Sequence, residues 1–215
     1  MDVAPDRLPR WIDGFAARHG GAPRVVGQAY GVLLLAPDGA TAELHAPPGA
    51  PVVNDLPGFI AAARAPRRLG LLLARKGAVA VGVADGDRLV ESKVDTRYVQ
   101  ARTAAGGWSQ QRFARRRENQ ARAAAGRAAD LVARLLLPYA ASLAALVCGG
   151  DRRTVDSILA DRRLAPLAAL RSDRLLDVPE PRHAVLVGAI AAARAVRILV
   201  RDPAPAASAD RFLPT

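Results

Sequence analysis

A mixed α/β fold, a mixed sheet with flanking helices, is what this sequence predicts, with α+β as the neighbouring class. Three observations carry it. About half of the 215 residues are hydrophobic, enough to bury a sizeable core. The first half reads as short β-type runs separated by Gly, Pro and Asp punctuation. The second half alternates long helical patterns with apolar runs of strand length.

The elements follow in order. Leu8, Trp11, Ile12, Phe15 and Arg18 have the three-and-four spacing of an amphipathic helix over 8–18, stopped by Gly20-Gly21. Val25-Val26, Gly31 to Leu35 and Thr41 to Leu44 read as strands, the last two joined by a turn at Pro37-Asp38-Gly39. A loop runs from Pro47 to Gly58, and Phe59 to Arg64 forms a brief helix. Leu69 to Leu73, Val79 to Val83 and Arg88 to Val94 are three more strands, with Asp85-Gly86 as the tight turn between the last two.

From Ser109 the pattern is helical for roughly 25 residues, about 38 Å at 1.5 Å per residue. Phe113, Ala121, Ala124, Ala128, Leu131, Val132 and Leu135 make one apolar stripe, and Pro138 ends the helix. Leu143 to Cys148 then reads as a buried strand, Thr154 to Ala160 as a helix, Leu175-Leu176 as a short edge strand and Arg182 to Val200 as a final helix. The expected organisation is an amino-terminal helix in 1–23 packed on a catalytic domain at 24–202, with a frayed tail over 203–215.

The net charge is +11, and because Lys76 and Lys93 are the sole lysines, 29 of the 31 basic residues are arginines. The arginine-for-lysine bias is equally the mark of GC-rich coding, whereas the excess of positive charge points to an acidic partner. Six of those charges gather between Ala101 and Arg134, where eight arginines face Glu118 and Asp130. Such clustering favours nucleic-acid phosphate as the ligand, with an ordinary solvated basic helix an equal alternative on charge and periodicity alone.

Other chemistries find little support. His19, His45 and His183 fall on separate elements, which argues against a metal site or a Ser/His/Asp triad. Gly149-Gly150-Asp151-Arg152-Arg153-Thr154 lies between a strand and a helix but has neither the P-loop lysine nor dinucleotide spacing, so it reads as a plain turn. Asp85 and Asp87 flank a turn glycine. Cys148 reads as a buried strand residue, and no disulfide can form within a chain holding one cysteine. No apolar h-region follows Met1, and Arg194 and Arg197 break the longest apolar stretch, so a soluble cytoplasmic protein is expected.

One segment carries more. Gly106-Gly107 grants the backbone a free choice of φ, Ser109 is suited to cap the helix, and Gln110 and Gln111 stand at its tip as neutral hydrogen-bonding groups. Arg112, Arg115, Arg116 and Arg117 follow.

Gly106-Gly107, Ser109 and the run Arg112-Phe113-Ala114-Arg115 with Arg117 resemble the catalytic loop and following helix of the middle domain of eukaryotic and archaeal peptide-release factors. There a Gly-Gly-Gln motif precedes Ser-x-x-Arg-Phe-Ala-Arg. Trp108 stands where those factors have glutamine, and Gln110 comes two residues later. The displaced glutamine resembles the Vms-like release factors (the VLRF group), peptidyl-tRNA hydrolases of ribosome-associated quality control, and their actinobacterial branch in particular. The motif covers about 15 residues; beyond it the resemblance is architectural, over 25–200. It implies an RNase H-like middle-domain architecture, and it implies hydrolysis of the ester joining a nascent peptide to tRNA on the large ribosomal subunit. Codon-dependent termination is disfavoured, because no stop-codon-reading or GTPase-binding domain fits the remaining length.

By the same resemblance Gln110 takes the catalytic glutamine's place, with Gln111 as the alternative, and Gly106 and Gly107 let the loop fit an rRNA-lined site. A glutamine amide acts there by orienting water and favouring the oxyanion, without metal or cofactor. Arg102, Arg112, Arg115, Arg116, Arg117 and Arg122, with Ser109 and Trp108, would meet RNA. Trp108 either stacks on a nucleotide or closes over the core, and Phe113 anchors the helix on its sheet. The expected partners are large-subunit rRNA and peptidyl-tRNA, engaged by a monomer, with no membrane and no metal. Two rival readings stay open: a non-catalytic ribosome-associated RNA-binding module, and a hydrolase of free peptidyl-tRNA.

Overall fold

Which strands pair, and through which faces they are buried, decides where the long basic helix stands. The structure is a computed structural model that describes residues 1–75, 77–98 and 110–203. Along the chain run β1 (Asp2–Val3), α1 (Leu8–Arg18), β2 (Arg24–Gln28), β3 (Gly31–Leu35), β4 (Thr41–His45), α2 (Leu56–Arg64), β5 (Arg68–Arg75), β6 (Gly77–Asp85) and β7 (Arg88–Tyr98). There follow α3 (Gln110–Leu136), β8 (Ala145–Gly150), α4 (Arg152–Leu159), α5 (Ala165–Ala168), β9 (Arg171–Leu176), α6 (His183–Arg194) and β10 (Val196–Arg201). The described residues thus hold two five-stranded sheets and six α-helices in a mixed α/β architecture, divided between two units.

The first unit holds 1–46, 51–64 and the chain from Val196 onward. Its antiparallel sheet has the order β1-β10-β4-β3-β2. Alternate residues Val32, Leu34, Ala42, Leu44, Val196 and Ile198 point to one face, where Leu8, Ile12 and Phe15 of α1 and Phe59 of α2 cover them. Helix α1 stops where expected: Gly20 and Gly21 take φ of +86° and +121°, a region open to glycine. Asp38 fixes the β3–β4 turn by accepting from the Ala40 N–H at 2.9 Å, and its other oxygen lies 2.8 Å from His19 Nδ1. These two contacts hold its carboxyl below the ordinary range.

The second unit holds 47–50 and 65–195. Its sheet has the order β7-β6-β5-β8-β9: β5, β6 and β7 form an antiparallel meander, while β8 and β9 run parallel to β5. Numbered within the unit, that order is 3-2-1-4-5, the RNase H-like arrangement. The central strand β5 is buried on both faces, which is why Leu69 to Leu73 reads as an unbroken apolar run. Leu72, Val79, Val81, Leu146 and Cys148 face α3 and α4, meeting Ala128, Val132, Leu135, Val155 and Ile158. Leu69, Leu71, Leu73 and Val147 face α6, meeting Leu186, Ala189, Ile190 and Ala193.

Several elements depart from expectation: β1 and α5 are additional to the expected elements, α2 and β9 begin three and four residues earlier than Phe59 and Leu175, β7 runs on to Tyr98, and three further departures have a clear physical cause. The final helix does not reach Val200: α6 ends at Arg194, Ala195 is extended, and Val196–Arg201 is a strand. Val196 and Ile198 turn inward while Arg197 turns out, and the ladder to His45, Leu44 and Glu43 outweighs the helical pattern set by the preceding alanines. Ala121 does not belong to the buried stripe of α3, since it is exposed. Helix α4 begins two residues earlier than expected, at Arg152, because Asp151 caps it.

Cys148 is buried in β8 as expected, and burial pushes its thiol up to about 11. The native protein is therefore expected to resist iodoacetamide at pH 8 and to take one equivalent in denaturant, read by mass spectrometry. Full labelling of the native state would contradict this placement.

Candidate nucleic-acid interface

Helix α3 does two jobs along its 27 residues. From Ala124 onward one stripe is buried: Ala124, Ala125, Ala128, Ala129, Leu131, Val132, Leu135 and Leu136. Gln120, Ala121, Arg122 and Ala123 are all exposed. Four consecutive exposed residues make a full turn at 3.6 residues per turn, so no face of the helix packs there. The same helix continues back to Gln110, about 21 Å from Ala124 at 1.5 Å per residue. Its first turn holds no acidic residue. Arginine near a helix amino terminus opposes the macrodipole, so the charge of this end works against its own helical stability.

The expected site residues fall as follows. Gln110 and Gln111 are the first two residues of α3, and Arg112, Arg115, Arg116 and Arg117 lie within its first eight. Arg122 is exposed and has no ion pair among the described residues. Arg102, Gly106, Gly107, Trp108 and Ser109 lie outside the described residues, as do the side chains of Gln110, Gln111, Arg112, Phe113, Arg115, Arg116 and Arg117 and the tail beyond Pro203.

At the end of β8 the plain turn is present. Gly150 takes φ of +92°, and a Cβ there would lie 2.3 Å from the Ala74 carbonyl oxygen. Asp151 then caps α4, accepting from the Arg153 N–H at 3.2 Å and from the Thr154 hydroxyl at 2.6 Å. The place a phosphate would take at that helix end is filled by the protein's own carboxylate. His45 stacks on Tyr30 at 4.4 Å and lies 3.5 Å from Glu43, and His183 opens α6. Among the described residues no group of three or more His, Cys, Asp or Glu is placed to hold a metal, and no helix is long and apolar enough to cross a membrane.

The model of one protein family, described as the Actinobacteria and Chloroflexi VLRF1 release factor, matches residues 67–199, from β5 into β10 and so across the α3 helix. The chain belongs to this family. As a VLRF1-family protein it is a release-factor relative. Among solved structures, the archaeal translation termination factor aRF1 is 14% identical with a TM-score of 0.37, over 55% of this chain and 32% of its own. Another, described as an archaeal protein, is 15% identical with a TM-score of 0.38, over 73% of this chain and 48% of its own. The VLRF1-family chain therefore spans less than half of either. No curated protein matches it.

Sequence reasoning weighed Arg152 and Arg153 only as part of the segment 149–154 and set them aside as residues of a plain turn. Both are exposed, and neither side chain has an ion pair among the described residues. The signal was two adjacent arginines in the first turn of a helix.

Proposed function

We propose that this protein hydrolyses the ester of peptidyl-tRNA on stalled large ribosomal subunits, releasing the nascent chain in ribosome-associated quality control. The observation that carries the reading is the position of Gln110 as the first residue of a basic helix whose residues 120–123 are exposed all round. Family membership supports it.

In the reaction, the oxygen of a water attacks the ester carbonyl carbon and a tetrahedral oxyanion forms. The bond to the tRNA ribose oxygen then breaks, that oxygen takes a proton originating from the attacking water and becomes the ribose hydroxyl, and the peptide leaves as a carboxylic acid. The Gln110 side-chain amide orients the water, and its backbone N–H, one of the unsatisfied donors at a helix start, faces the oxyanion. Gly106 and Gly107 admit the loop to the crowded site. Arg102, Arg112, Arg115, Arg116, Arg117 and Arg122 hold RNA phosphates, with Ser109 and Trp108 beside them. The chain acts as a monomer in the cytoplasm, where its substrate is.

The test is release of a labelled nascent chain from stalled large subunits, with ribosome-free peptidyl-tRNA alongside. Release on subunits alone is expected. Equal release from free peptidyl-tRNA would make the protein a general hydrolase, and tight binding without release would leave an RNA-binding module.

The arginines give a separate expectation. Arg115→Ala with Arg116→Ala weakens subunit binding and lowers the slope of log affinity against log salt by about 2, one for each phosphate no longer neutralised. Filter binding across a salt series reads it, and an unchanged slope would remove these residues from the interface.

A further inference from the structure

Helices α3 and α4 lie on the same face of the second unit's sheet and pack against each other. Both run opposite to β8: α3 ends just before that strand begins, and α4 starts just after it ends. The two helices are therefore parallel, with their amino termini at the same end of the sheet. Arg163, in the 3₁₀ turn beyond α4, bonds Asp130 of α3 at 2.8 Å and so fixes their register. On α3, Arg122 lies eight residues before Asp130, about 12 Å back at 1.5 Å per residue, and the first turn of α4 lies about 10 Å back from its last residue, Leu159, so the two are at a similar level. That first turn carries Arg152 and Arg153.

The charges at this level are unbalanced. Each carboxylate of α3 and α4 whose side chain is described, and that of the α4 cap, is already engaged: Asp130 with Arg163, Asp156 with Arg171 at 2.6 Å, and Asp151 with the Arg153 N–H and the Thr154 hydroxyl. Arg122, Arg152 and Arg153 are exposed and have no ion pair among the described residues. Three guanidinium groups across two parallel helices, without an ion pair among the described residues, suit a ligand with charges at regular spacing, presented on its outside. An RNA phosphate backbone is such a ligand, and arginine's planar fork meets each phosphate with two hydrogen bonds.

We infer that Arg152 and Arg153 of α4, together with Arg122 of α3, form a second RNA-backbone contact of this protein, continuing the basic track of α3 onto the body of the second unit. The inference rests on the proposed ribosomal role for its partner, and on the α3–α4 packing for its geometry. Its consequence is a two-point grip: the amino-terminal end of α3 enters the site, and the α4 arginines fix the body on RNA outside it.

The experiment measures binding of the full chain to purified large subunits, and to large-subunit rRNA stripped of protein, over a salt series. Arg152→Ala with Arg153→Ala is expected to weaken binding to both about 10-fold at 0.15 M salt and to lower the salt slope by about 2. Arg152→Lys with Arg153→Lys is expected to keep the slope, since the charges remain. Arg10→Ala with Arg24→Ala, two exposed arginines of the first unit, controls for bulk charge. An Arg152/Arg153 alanine variant that matches this control overturns the inference. So does weaker binding to subunits with no change on stripped rRNA, which would assign the contact to an acidic ribosomal protein. If the wild type shows these binding effects but releases no peptide, the hydrolase reading fails while the α4 contact stands.

Discussion

Replacing Gln110 with alanine is expected to lower single-turnover peptide release by about 100- to 1,000-fold, the range seen when one preorganised group is withdrawn from a developing oxyanion or its nucleophile. Subunit binding should change little, because a neutral amide contributes nothing to the salt-dependent term. The position of Gln110 permits a finer dissection. It is the first residue of α3, a position where proline is well tolerated because the N–H there makes no intrahelical bond. Alanine removes the amide side chain and keeps that N–H; proline removes both. A further drop from Gln110→Ala to Gln110→Pro, with the helix intact by circular dichroism, would assign the oxyanion to the backbone and the water to the side chain. Gln111→Ala should stay within about threefold of wild type. If that variant loses release and Gln110→Ala does not, the catalytic role moves one residue on.

The largest stability effect is expected at Gly150. An alanine Cβ there would stand 2.3 Å from the Ala74 carbonyl oxygen, at a φ of +92° that L side chains rarely adopt. Neither the clash nor the strain can relax cheaply, because Asp151 N–H bonds that same carbonyl at 2.8 Å and ties β8 to β5. A loss of about 2–4 kcal/mol follows, lowering Tm by about 10 °C in a chain of this size. Gly126, within α3, is the matched contrast: nothing lies within 4 Å of its added Cβ. Gly126→Ala should gain about 0.5–1 kcal/mol through helix propensity alone. Scanning calorimetry separates the two, and a Gly150→Ala protein melting with the wild type would refute the packing described for the end of β8.

Elements whose period is set locally were legible in the sequence. Helix α1 announced itself by the spacing of Leu8, Ile12 and Phe15, and β5 by an apolar run too short for a helix. The residues of α3 that open the candidate site were legible through their motif and charge. What escaped depended on partners distant in the chain. Val196–Arg201 follows an alanine-rich helix and becomes a strand because β4, some 150 residues earlier, offers it an edge. Arg152 and Arg153 looked like ordinary turn residues because their setting is made by α3 lying parallel to α4, and local pattern holds no trace of that packing.

The late return of β10 also dictates an order of events during synthesis. Its ladder fills the place between β1 and β4, and Val196 and Ile198 complete the core over α1 and α2. At about 5–20 residues per second, the ribosome making this protein takes roughly 8–30 s to travel from β4 to β10. Throughout that interval β4 keeps an open edge and the first unit lacks the strand that joins β1 to its sheet, while every strand and helix of the second unit emerges in sequence and can close on itself. The last six-residue strand to appear is thus what allows the first-made part of the chain to fold, and a translation product halted inside α6 would leave that part with an unpaired edge exposed to aggregation.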